Sequence, residues 1–303
     1  MAIYGLDGII AKENEPLSKH SSFHIGGNAG LALFPNTVQQ LVSCIEYCKD
    51  SAIRYRIIGN ASNVLFDDRG YDGAVIFTTQ INSIEYIRQM NDTLVRVGCG
   101  TSLTMLANEV GKRHSLSGLE FAYGIPGTVG GAVYMNAGAY GGQMSDVIVK
   151  SEVLDLNTME IKTVTSAEHQ YSYRHSMFMS HPEYIIVSAT LKLCDKDAKE
   201  IFELMNKNMS ARREKQPLEY PNAGSVFKRP ADNIFAAKLI QDAGLKGYTI
   251  GGAQISEKHS GFIINRGNAT CADVLALVEY AKSKVLEMFN VALECEIIYV
   301  PYN

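Results

Sequence analysis

The sequence predicts an α+β protein built from three consecutive units, and three observations lead to that fold class. A chain of 303 residues is long enough for two or three domains with their own cores. Segments with helical periodicity alternate with short segments that read as strands. Of the 26 glycines, eight lie between Gly118 and Gly142, whereas residues 143–223 contain none. Because glycine allows unusual backbone angles and close approach, this cluster indicates a loop with a special purpose.

The first unit, residues 1–79, reads as a small α/β unit. Thr37-Val-Gln-Gln40 is a capping box and predicts a helix that continues to about Asp50. Gly59-Asn60-Ala61-Ser62-Asn63 is a turn of small polar residues, which suits an anion nest formed by consecutive backbone N–H groups. The strands predicted on either side of this turn are residues 54–58 and 74–78.

The second unit, residues 80–208, carries the dense glycine stretch, Gly124-Ile125-Pro126-Gly127-Thr128-Val-Gly130-Gly131. Pro126 fixes one dihedral while the flanking glycines let the backbone wrap a ligand, and the segment that follows can direct a helix N-terminus at a pyrophosphate. A glycine-rich structural turn is the alternative. The predicted elements are a hairpin with strands 83–89 and 93–98 around Asn91-Asp92, helices 101–114 and 197–213, and strands 147–156, 160–164 and 184–193.

The third unit, residues 209–303, reads as a separate α+β unit. Thr270-Cys-Ala-Asp273 is a second capping box and opens a helix that reaches about Asn290. A shorter helix is predicted at residues 233–243, closed by Gly244. The strands predicted here are residues 253–256, 262–265 and 293–300.

Composition excludes several classes of protein. A net charge of -4 argues against a surface that binds nucleic acid. The six cysteines are scattered without zinc-ligand spacing, so we expect no metal site, reduced and mostly buried thiols, and a cytoplasmic location. The start of the chain lacks the features of a secretory signal, and no run approaches a membrane span, so no membrane association is expected.

Three further residues stand in unusual settings. Arg174 falls between two apolar strands, where an arginine is either a salt-bridge partner or a clamp for a carboxylate. Ser225 lies in a tight apolar turn, outside the Gly-x-Ser-x-Gly pattern of hydrolases. Glu296 interrupts the last strand, where alternation places it on the same face as Glu294 and Val300. A glutamate in such a position is more commonly an exposed carboxylate at the edge of a sheet than a functional residue. The sequence also lacks a P-loop and a complete Gly-x-Gly-x-x-Gly signature.

The glycine stretch through Asn136-Ala-Gly138-Ala-Tyr-Gly, together with Tyr173-Arg174-His-Ser176 and Asn222-Ala-Gly-Ser-Val-Phe-Lys228, resembles the UDP-N-acetylenolpyruvoylglucosamine reductases. The resemblance runs from about Pro16 to Tyr299 with the motifs in family order. It implies a two-part FAD-binding domain of the vanillyl-alcohol-oxidase-like class and a C-terminal α+β substrate domain. It also implies that NADPH reduces the flavin, which then reduces the enolpyruvyl group of UDP-N-acetylglucosamine-enolpyruvate.

Roles follow from the same resemblance. Arg174 would bind the enolpyruvyl carboxylate, Ser225 would protonate the enolate carbon, and Glu296 would assist that step. FAD would be bound non-covalently, with its pyrophosphate on backbone amides. The residues expected to hold it are Gly59, Asn60, Ala61, Ser62, Asn63, Gly124, Ile125, Pro126, Gly127, Thr128, Gly130, Gly131, Asn136 and Gly138. Arg212 and Lys215 are chosen for the UDP diphosphate, with Tyr173 and Gln254 as further pocket residues.

Two departures from the family pattern stand out. Ala61 occupies a position where the family often has glycine, which narrows the backbone freedom of the first turn. After Leu193 the chain enters the helix at Asp197 directly, so the sequence resembles the shorter branch that lacks a tyrosine-bearing insertion.

Two alternative functions are a flavin oxidase of the same superfamily and a binding module without catalytic activity. The binding module predicts the loss of Arg174, Ser225 or Glu296, and all three are present. We expect a monomer.

Overall fold

The computed structural model describes residues 6–88 and 92–303, and this part of the chain holds six α-helices and eighteen β-strands. The helices are α1 Val38–Asp50, α2 Leu103–His114, α3 Val129–Met135, α4 Ala198–Lys215, α5 Ala236–Asp242 and α6 Cys271–Phe289. The strands are β1 Ile10–Pro16, β2 Asn28–Phe34, β3 Tyr55–Ile58, β4 Val64–Phe66, β5 Tyr71–Phe77, β6 Ile84–Arg88, β7 Asp92–Gly98, β8 Leu116–Ser117, β9 Gly138–Ala139, β10 Gly142–Gln143, β11 Ile148–Asp155, β12 Glu160–Thr165, β13 Tyr184–Asp195, β14 Asn222–Ser225, β15 Thr249–Ile250, β16 Ala253–Ile255, β17 Phe262–Asn265 and β18 Ile298–Val300.

The two capping boxes predicted from the sequence behave differently. At α6 both reciprocal bonds form, because the Thr270 side chain accepts from the Asp273 amide and the Asp273 carboxylate accepts from the Thr270 amide. At α1 the Thr37 hydroxyl accepts from the Gln40 amide at 3.1 Å. The Gln40 side chain, however, accepts from the amide of Asn36, one residue earlier than a capping box requires, at 2.9 Å. Both helices nevertheless begin where the sequence predicts.

The packing divides the chain into two compact units. The first contains the described residues within 1–11, 33–60 and 76–212, and the second contains residues 12–32, 61–75 and 213–303. A further sheet has the strand order β1-β2-β5-β3. The predicted boundaries after residues 79 and 208 concern cofactor and substrate binding, which packing does not test, so they stay predictions.

The first unit is built on a sheet with strand order β12-β11-β13-β7-β6, to which β8 adds by pairing with β13. Neighbouring strands are antiparallel, and β6 pairs with β7 from Ile84 opposite Val97 to Arg88 opposite Thr93. The hairpin predicted here is therefore present, whereas Asn91 of its predicted turn lies outside the described residues. Buried apolar side chains of α2, α3 and α4 belong to the core of this unit; they include Leu103, Leu106, Val129, Val133, Ile201 and Met205.

The second unit is built on an antiparallel sheet with order β14-β17-β16-β15 and on the parallel pair β4 and β18. Its core brings Phe23, Leu65 and the buried face of α6 together. The residues that α6 buries are Cys271, Val274, Leu277, Val278, Ala281 and Val285. Five of them, Cys271, Val274, Val278, Ala281 and Val285, follow one another at intervals of three or four, the spacing that places side chains on one face of a helix.

The last predicted strand is shorter than expected. Residues 293–300 were expected to form one strand, but only Ile298–Val300 does so, in parallel with β4. Before that, the amide of Lys228 donates to Glu294 O and the amide of Glu296 donates to Val226 O, so the chain changes partner between 296 and 298. The buried residues are Leu293, Ile297 and Val300, so alternation correctly separates Glu296 from the buried Ile297 but is wrong for Val300, which it places on the same face as Glu296.

Two expectations from composition can be compared with the structure. All six cysteines are free; Cys44, Cys48, Cys99 and Cys271 are buried, Cys295 is half-buried and Cys194 is exposed. Burial raises the pKa of the Cys44 thiol to about 12, so this side chain behaves as a small apolar group. Within residues 6–88 and 92–303, we find no helix with the length and apolar character needed to cross a bilayer.

Candidate functional site

The glycine stretch forms a loop that leads into helix α3. Thr128 caps this helix, because its hydroxyl accepts from the Gly131 amide at 3.3 Å. The amides of Val129 and Gly130 donate to Thr101 O at 2.9 Å and to Cys99 O at 2.8 Å. The amides of Gly127 and Thr128 have no hydrogen-bond acceptor in the part of the chain that the structure describes. An anion at this loop would therefore be bound by residues 127 and 128 rather than by the first turn of α3.

The structure brings the two small-residue stretches into direct contact within the first unit. The Asn60 side-chain amide donates to Pro126 O at 2.6 Å. A Cβ atom built on Gly59 would overlap the Thr128 hydroxyl, so glycine is needed there for the stretches to approach each other. A Cβ built on Gly130 would lie 3.0 Å from the Cys99 Cβ atom, which also leaves little room. Packing alone accounts for Gly59 and Gly130, as the alternative of a glycine-rich structural turn predicts.

Gly131 is different. It is exposed, it has helical backbone geometry, and a Cβ atom built on it would lie 3.5 Å from the nearest protein atom, the Thr128 hydroxyl oxygen. That distance is ordinary van der Waals contact, so the protein itself leaves room for a side chain. Exposed main chain at Gly131, next to the Gly127 and Thr128 amides that have no protein acceptor, suits a ligand that must approach the backbone closely.

Thr104 supports the loop from helix α2, although the sequence did not point to it. Its hydroxyl donates to Ile125 O at 2.8 Å and accepts from the Gly124 amide at 3.1 Å. One side chain thus satisfies two backbone groups on either side of the Gly124–Ile125 peptide bond. A threonine near the start of a helix is too common to be recognised as a loop support in one sequence.

Arg174 lies in a tight turn, where its φ of 52° is in the left-handed region that favours glycine. Its Nη2 atom donates to Gly138 O at 3.0 Å, and its guanidinium carbon lies 5.2 Å from the centre of the Tyr173 ring. Tyr173 is 45% exposed. A guanidinium has five N–H donors, so the bond to Gly138 is compatible with a carboxylate clamp. The structure therefore places Arg174 against the glycine segment of its own unit.

Asn136 ends helix α3 in the left-handed conformation and is only 1% exposed. Its side-chain oxygen accepts from the Ser145 amide at 3.0 Å, and its nitrogen donates to Ser172 O at 3.1 Å. The protein itself thus uses both ends of this amide. Asn136 was expected among the cofactor residues, and a contribution through loop geometry matches these contacts better than a direct contact.

His169 lies at the base of the segment that carries Arg174, between β12 and β13. The ring is fully buried; its Nε2 atom is 2.7 Å from the Ser151 hydroxyl, and its centre lies 5.0 Å from that of Tyr171. Burial lowers the pKa of His169 to about 4, with a small opposing effect of Glu168. The imidazole is neutral at pH 7 and forms a structural contact with β11.

Arg212 and Lys215 were both chosen for a diphosphate, yet they have very different environments on α4. Arg212 is 7% exposed, its aliphatic part packs beneath Gly124, and its guanidinium carbon lies 5.6 Å from the centre of the Tyr140 ring. Burial lowers the pKa of Arg212. Lys215 is exposed. The two side chains therefore do not form one exposed basic pair, and only Lys215 has the exposure expected of a diphosphate contact.

In the second unit, the first polar turn continues through Ala61, Ser62 and Asn63. Ala61 is buried and has a φ of 46°, so the alanine noted as a departure occupies the left-handed region that suits glycine. Asn63 donates from its side chain to Glu296 O at 3.0 Å and accepts at its own carbonyl from the Ile298 amide at 2.9 Å. This turn is thus tied to the segment that carries the predicted catalytic glutamate.

Ser225 and Glu296 lie on two adjacent antiparallel segments of the second unit. The Glu296 amide donates to the carbonyl of Val226, the residue after Ser225, at 2.7 Å. Before the serine, Gly224 has a φ of 78°, and its amide donates to the Asn222 side chain at 2.9 Å. Both Ser225 and Glu296 are half-buried. The exposed edge carboxylate, the commoner case for a glutamate in a last strand, is therefore not what the structure shows.

Gln254 is a half-buried residue of β16. Its side-chain nitrogen donates to Gly247 O at 3.2 Å and to the Thr249 hydroxyl at 3.1 Å. Both bonds stabilise the short hairpin of β15 and β16. The amide oxygen is the part of this side chain that remains suited to a ligand.

Comparison with known proteins gives consistent results for both parts of the chain. A family model described as an FAD binding domain matches residues 29–164, and one described as the C-terminal domain of UDP-N-acetylenolpyruvoylglucosamine reductase matches residues 216–300. Curated proteins named UDP-N-acetylenolpyruvoylglucosamine reductase are similar over almost the whole chain. The one from Caldicellulosiruptor bescii is 46% identical over 97% of this chain and 91% of its own, and the one from Caldanaerobacter subterraneus is 46% identical over 94% and 91%. The crystal structure of the Thermus caldophilus reductase aligns with a TM-score of 0.78 and 33% identity, covering 97% of this chain and 99% of its own.

Proposed function

Because the chain belongs to the UDP-N-acetylenolpyruvoylglucosamine reductase family, we propose that it reduces the enolpyruvyl group of UDP-N-acetylglucosamine-enolpyruvate to the lactyl ether of UDP-N-acetylmuramate, with NADPH as reductant. The chain is an FAD-binding oxidoreductase with the predicted α+β fold. The reaction belongs to the synthesis of peptidoglycan precursors. The observation that carries the proposal is the family match over 97% of the chain, in which Arg174, Ser225 and Glu296 are all present.

The residues of the glycine loop fit the cofactor. Gly127 and Thr128 offer amides without a protein acceptor, and Gly131 beside them leaves room for close approach. These are the donors that a pyrophosphate needs from a backbone nest. We assign the same role to the amides of Asn60, Ala61 and Ser62 in the first polar turn. When bound, FAD supplies the two-electron relay between NADPH and the carbon–carbon double bond of the substrate.

Ser225 is assigned the proton transfer. Addition of hydride to the terminal carbon of the enolpyruvyl group leaves an electron pair on the neighbouring carbon, delocalised into the carboxylate as an enolate. The Ser225 hydroxyl gives its proton to that carbon and completes the reduction. Serine is a weak acid, but an enolate carbon is a strong base, so the transfer requires enforced geometry more than acidity. Two restraints support that geometry, namely the turn at Gly224 and the backbone pairing with Glu296.

Arg174 and Glu296 are assigned to the charge that develops on the substrate. The Arg174 guanidinium binds the enolpyruvyl carboxylate, where negative charge increases as the enolate forms. Glu296 assists the same step as a proton donor. For the UDP part we retain Lys215, with Tyr173 and Gln254 as further contacts. Arg212 is retained as a charge that acts from beneath the glycine loop, because it is buried against Gly124 and Tyr140.

The half-reactions provide the test. The purified protein should be yellow, should bleach anaerobically when NADPH is added, and should regain its colour when UDP-N-acetylglucosamine-enolpyruvate follows. Bleaching by NADPH at least tenfold faster than by NADH at equal concentration would support the choice of reductant. A protein that cannot bind FAD, or one that stays bleached with the sugar nucleotide, would refute the proposal.

Location and assembly are also part of the proposal. Six free cysteines suit a reducing compartment, and we place the reaction in the cytoplasm. We propose a monomer. Fractionation of cells and light scattering of the purified protein test these two statements separately.

A further inference from the structure

Arg174 lies in a short turn, residues 172–175, between β12 and β13. Two backbone bonds close it, from Ser172 to His175 and back, each 3.2 Å long. Arg174 is in the left-handed conformation, which costs a side-chain-bearing residue free energy relative to the right-handed regions. Ser172 and Tyr173 are exposed. The bond from the guanidinium to Gly138 O holds the end of the side chain, and a restraint on the backbone is also needed to keep the turn itself in place.

Both ends of this turn are bound to the end of helix α3 by deeply buried side chains. On the leading side, the Asn136 amide donates to Ser172 O at 3.1 Å. On the trailing side, the Ser176 hydroxyl donates to Tyr134 O at 2.6 Å. Asn136 is 1% exposed and Ser176 is fully buried, so the donor side chain of each bond is shielded from water.

The acceptor of the Ser176 bond is itself a group that needs a partner. Tyr134 lies in the last turn of α3, where the final carbonyls have no partner within the helix. Ser176 thus satisfies one of these carbonyls and fixes the chain two residues after Arg174. The next residue, Met177, donates its amide to His169 O at 2.8 Å, so the chain is held immediately beyond the serine.

From this arrangement we propose that Ser176 is a positioning residue for the proposed reduction: its bond to the end of α3 holds the Arg174 turn where the guanidinium meets the substrate carboxylate. The inference rests on the proposed function, in which Arg174 binds that carboxylate. Ser176 itself does not touch substrate or cofactor. Its removal should leave the reaction with NADPH intact and impair the step in which Arg174 acts.

The test uses the FAD-loaded Ser176→Ala protein and follows the two half-reactions separately by stopped flow. Flavin reduction by NADPH should stay within about twofold of wild type. Reoxidation by UDP-N-acetylglucosamine-enolpyruvate should slow by about a hundredfold, the loss that a displacement of roughly 1 Å causes in a catalytic group. Ser43→Ala is the matched control, because the Ser43 hydroxyl donates to Gln39 O on α1, and it should change neither rate.

A second comparison separates positioning from general loosening. In an Arg174→Ala background, Ser176→Ala should cause no further slowing, since its effect acts through the arginine. If Ser176→Ala is not recovered folded, Ser176→Cys fills nearly the same space with a weaker donor and should give the same pattern. Ser176→Thr keeps the hydroxyl and should restore at least half of the lost rate.

Three results would overturn the inference alone. They are equal slowing of both half-reactions, additive slowing of the Ser176→Ala and Arg174→Ala changes, and reoxidation of Ser176→Ala at the wild-type rate. If the wild-type enzyme reduced by NADPH is not reoxidised by the sugar nucleotide, the proposed function fails, and the inference fails with it.

Discussion

Replacement of Gly131 by alanine should affect the stability of the protein and its affinity for FAD in opposite directions. A Cβ at this position lies 3.5 Å from the Thr128 hydroxyl oxygen and meets no closer protein atom. Alanine also suits a helical position better than glycine, by roughly 0.5–1 kcal/mol. The FAD-free Gly131→Ala protein should therefore be more stable than wild type by about 0.5 kcal/mol, since the position is in the first turn of α3.

The effect on FAD has the opposite sign if the cofactor lies against this bare backbone. A methyl group would then occupy space that the bound cofactor needs, and the loss of one good contact corresponds to about 1.4 kcal/mol, or about tenfold in Kd. Gly130→Ala is the matched neighbour. There the added Cβ lies 3.0 Å from the Cys99 Cβ atom, and crowding of this kind costs roughly 1–3 kcal/mol of folding stability.

Thermal unfolding of FAD-free protein and titration of flavin fluorescence measure the two quantities. The reasoning requires a stabilised Gly131→Ala protein with weakened FAD binding and a destabilised Gly130→Ala protein. Unchanged FAD affinity in Gly131→Ala would refute the placement of the cofactor at this loop. A destabilised Gly131→Ala protein would contradict the open space that the structure shows.

Three further predictions concern other residues. Ser225→Ala should reduce its flavin with NADPH at a near-normal rate but reoxidise with the sugar nucleotide at least about a hundredfold more slowly; equal damage to both half-reactions would mean that the serine only shapes the pocket. His169 has a pKa of about 4 in the folded protein and about 6.5 in the unfolded chain, so its contribution to stability should be complete above pH 6.5 and should decline as the pH falls towards 4. In His169→Gln the free energy of unfolding should therefore change less with pH between 6.5 and 4, and identical pH profiles of the two proteins would contradict this. Ala61→Gly should raise the free energy of unfolding by up to about 1 kcal/mol in denaturant titrations, because φ is 46° at this residue. A clear decrease in the free energy of unfolding would mean that the packing of the buried methyl group outweighs the backbone strain.

Local signals predicted most of the regular structure. Thr270 and Asp273 cap α6 with the reciprocal bonds that their spacing implies, because a capping box depends only on residues close in sequence. The last strand could not be predicted in the same way. Residues 294–296 pair with 226–228, and residues 298–300 pair with β4. A change of partner depends on distant segments, and alternation within one segment carries no information about it.

In the candidate site, too, some features could be predicted from the sequence and others could not. The stretch of residues 124–131 is recognisable because its glycines lie much closer together than elsewhere in the chain, and the structure joins it to the polar turn at Gly59 through Asn60 and Pro126. Thr104 and Ser176 were not identified as supports, because a hydroxyl that satisfies a backbone carbonyl leaves no sequence pattern. The environment of Arg212 also escaped prediction. A charged residue on a helix is normally exposed, and only the packing against Gly124 shows otherwise.

The internal hydrogen bonds of the glycine loop have a practical consequence. The Gly130 and Gly131 amides and the Gly124 amide are all satisfied by the protein's own atoms, Cys99 O and the hydroxyls of Thr128 and Thr104. The loop therefore does not need a ligand in order to keep its shape. We expect that the natural flavin can be stripped and replaced by analogues of altered reduction potential without refolding the chain. Such exchange would make this protein a suitable host for measuring how the rate of hydride transfer depends on driving force.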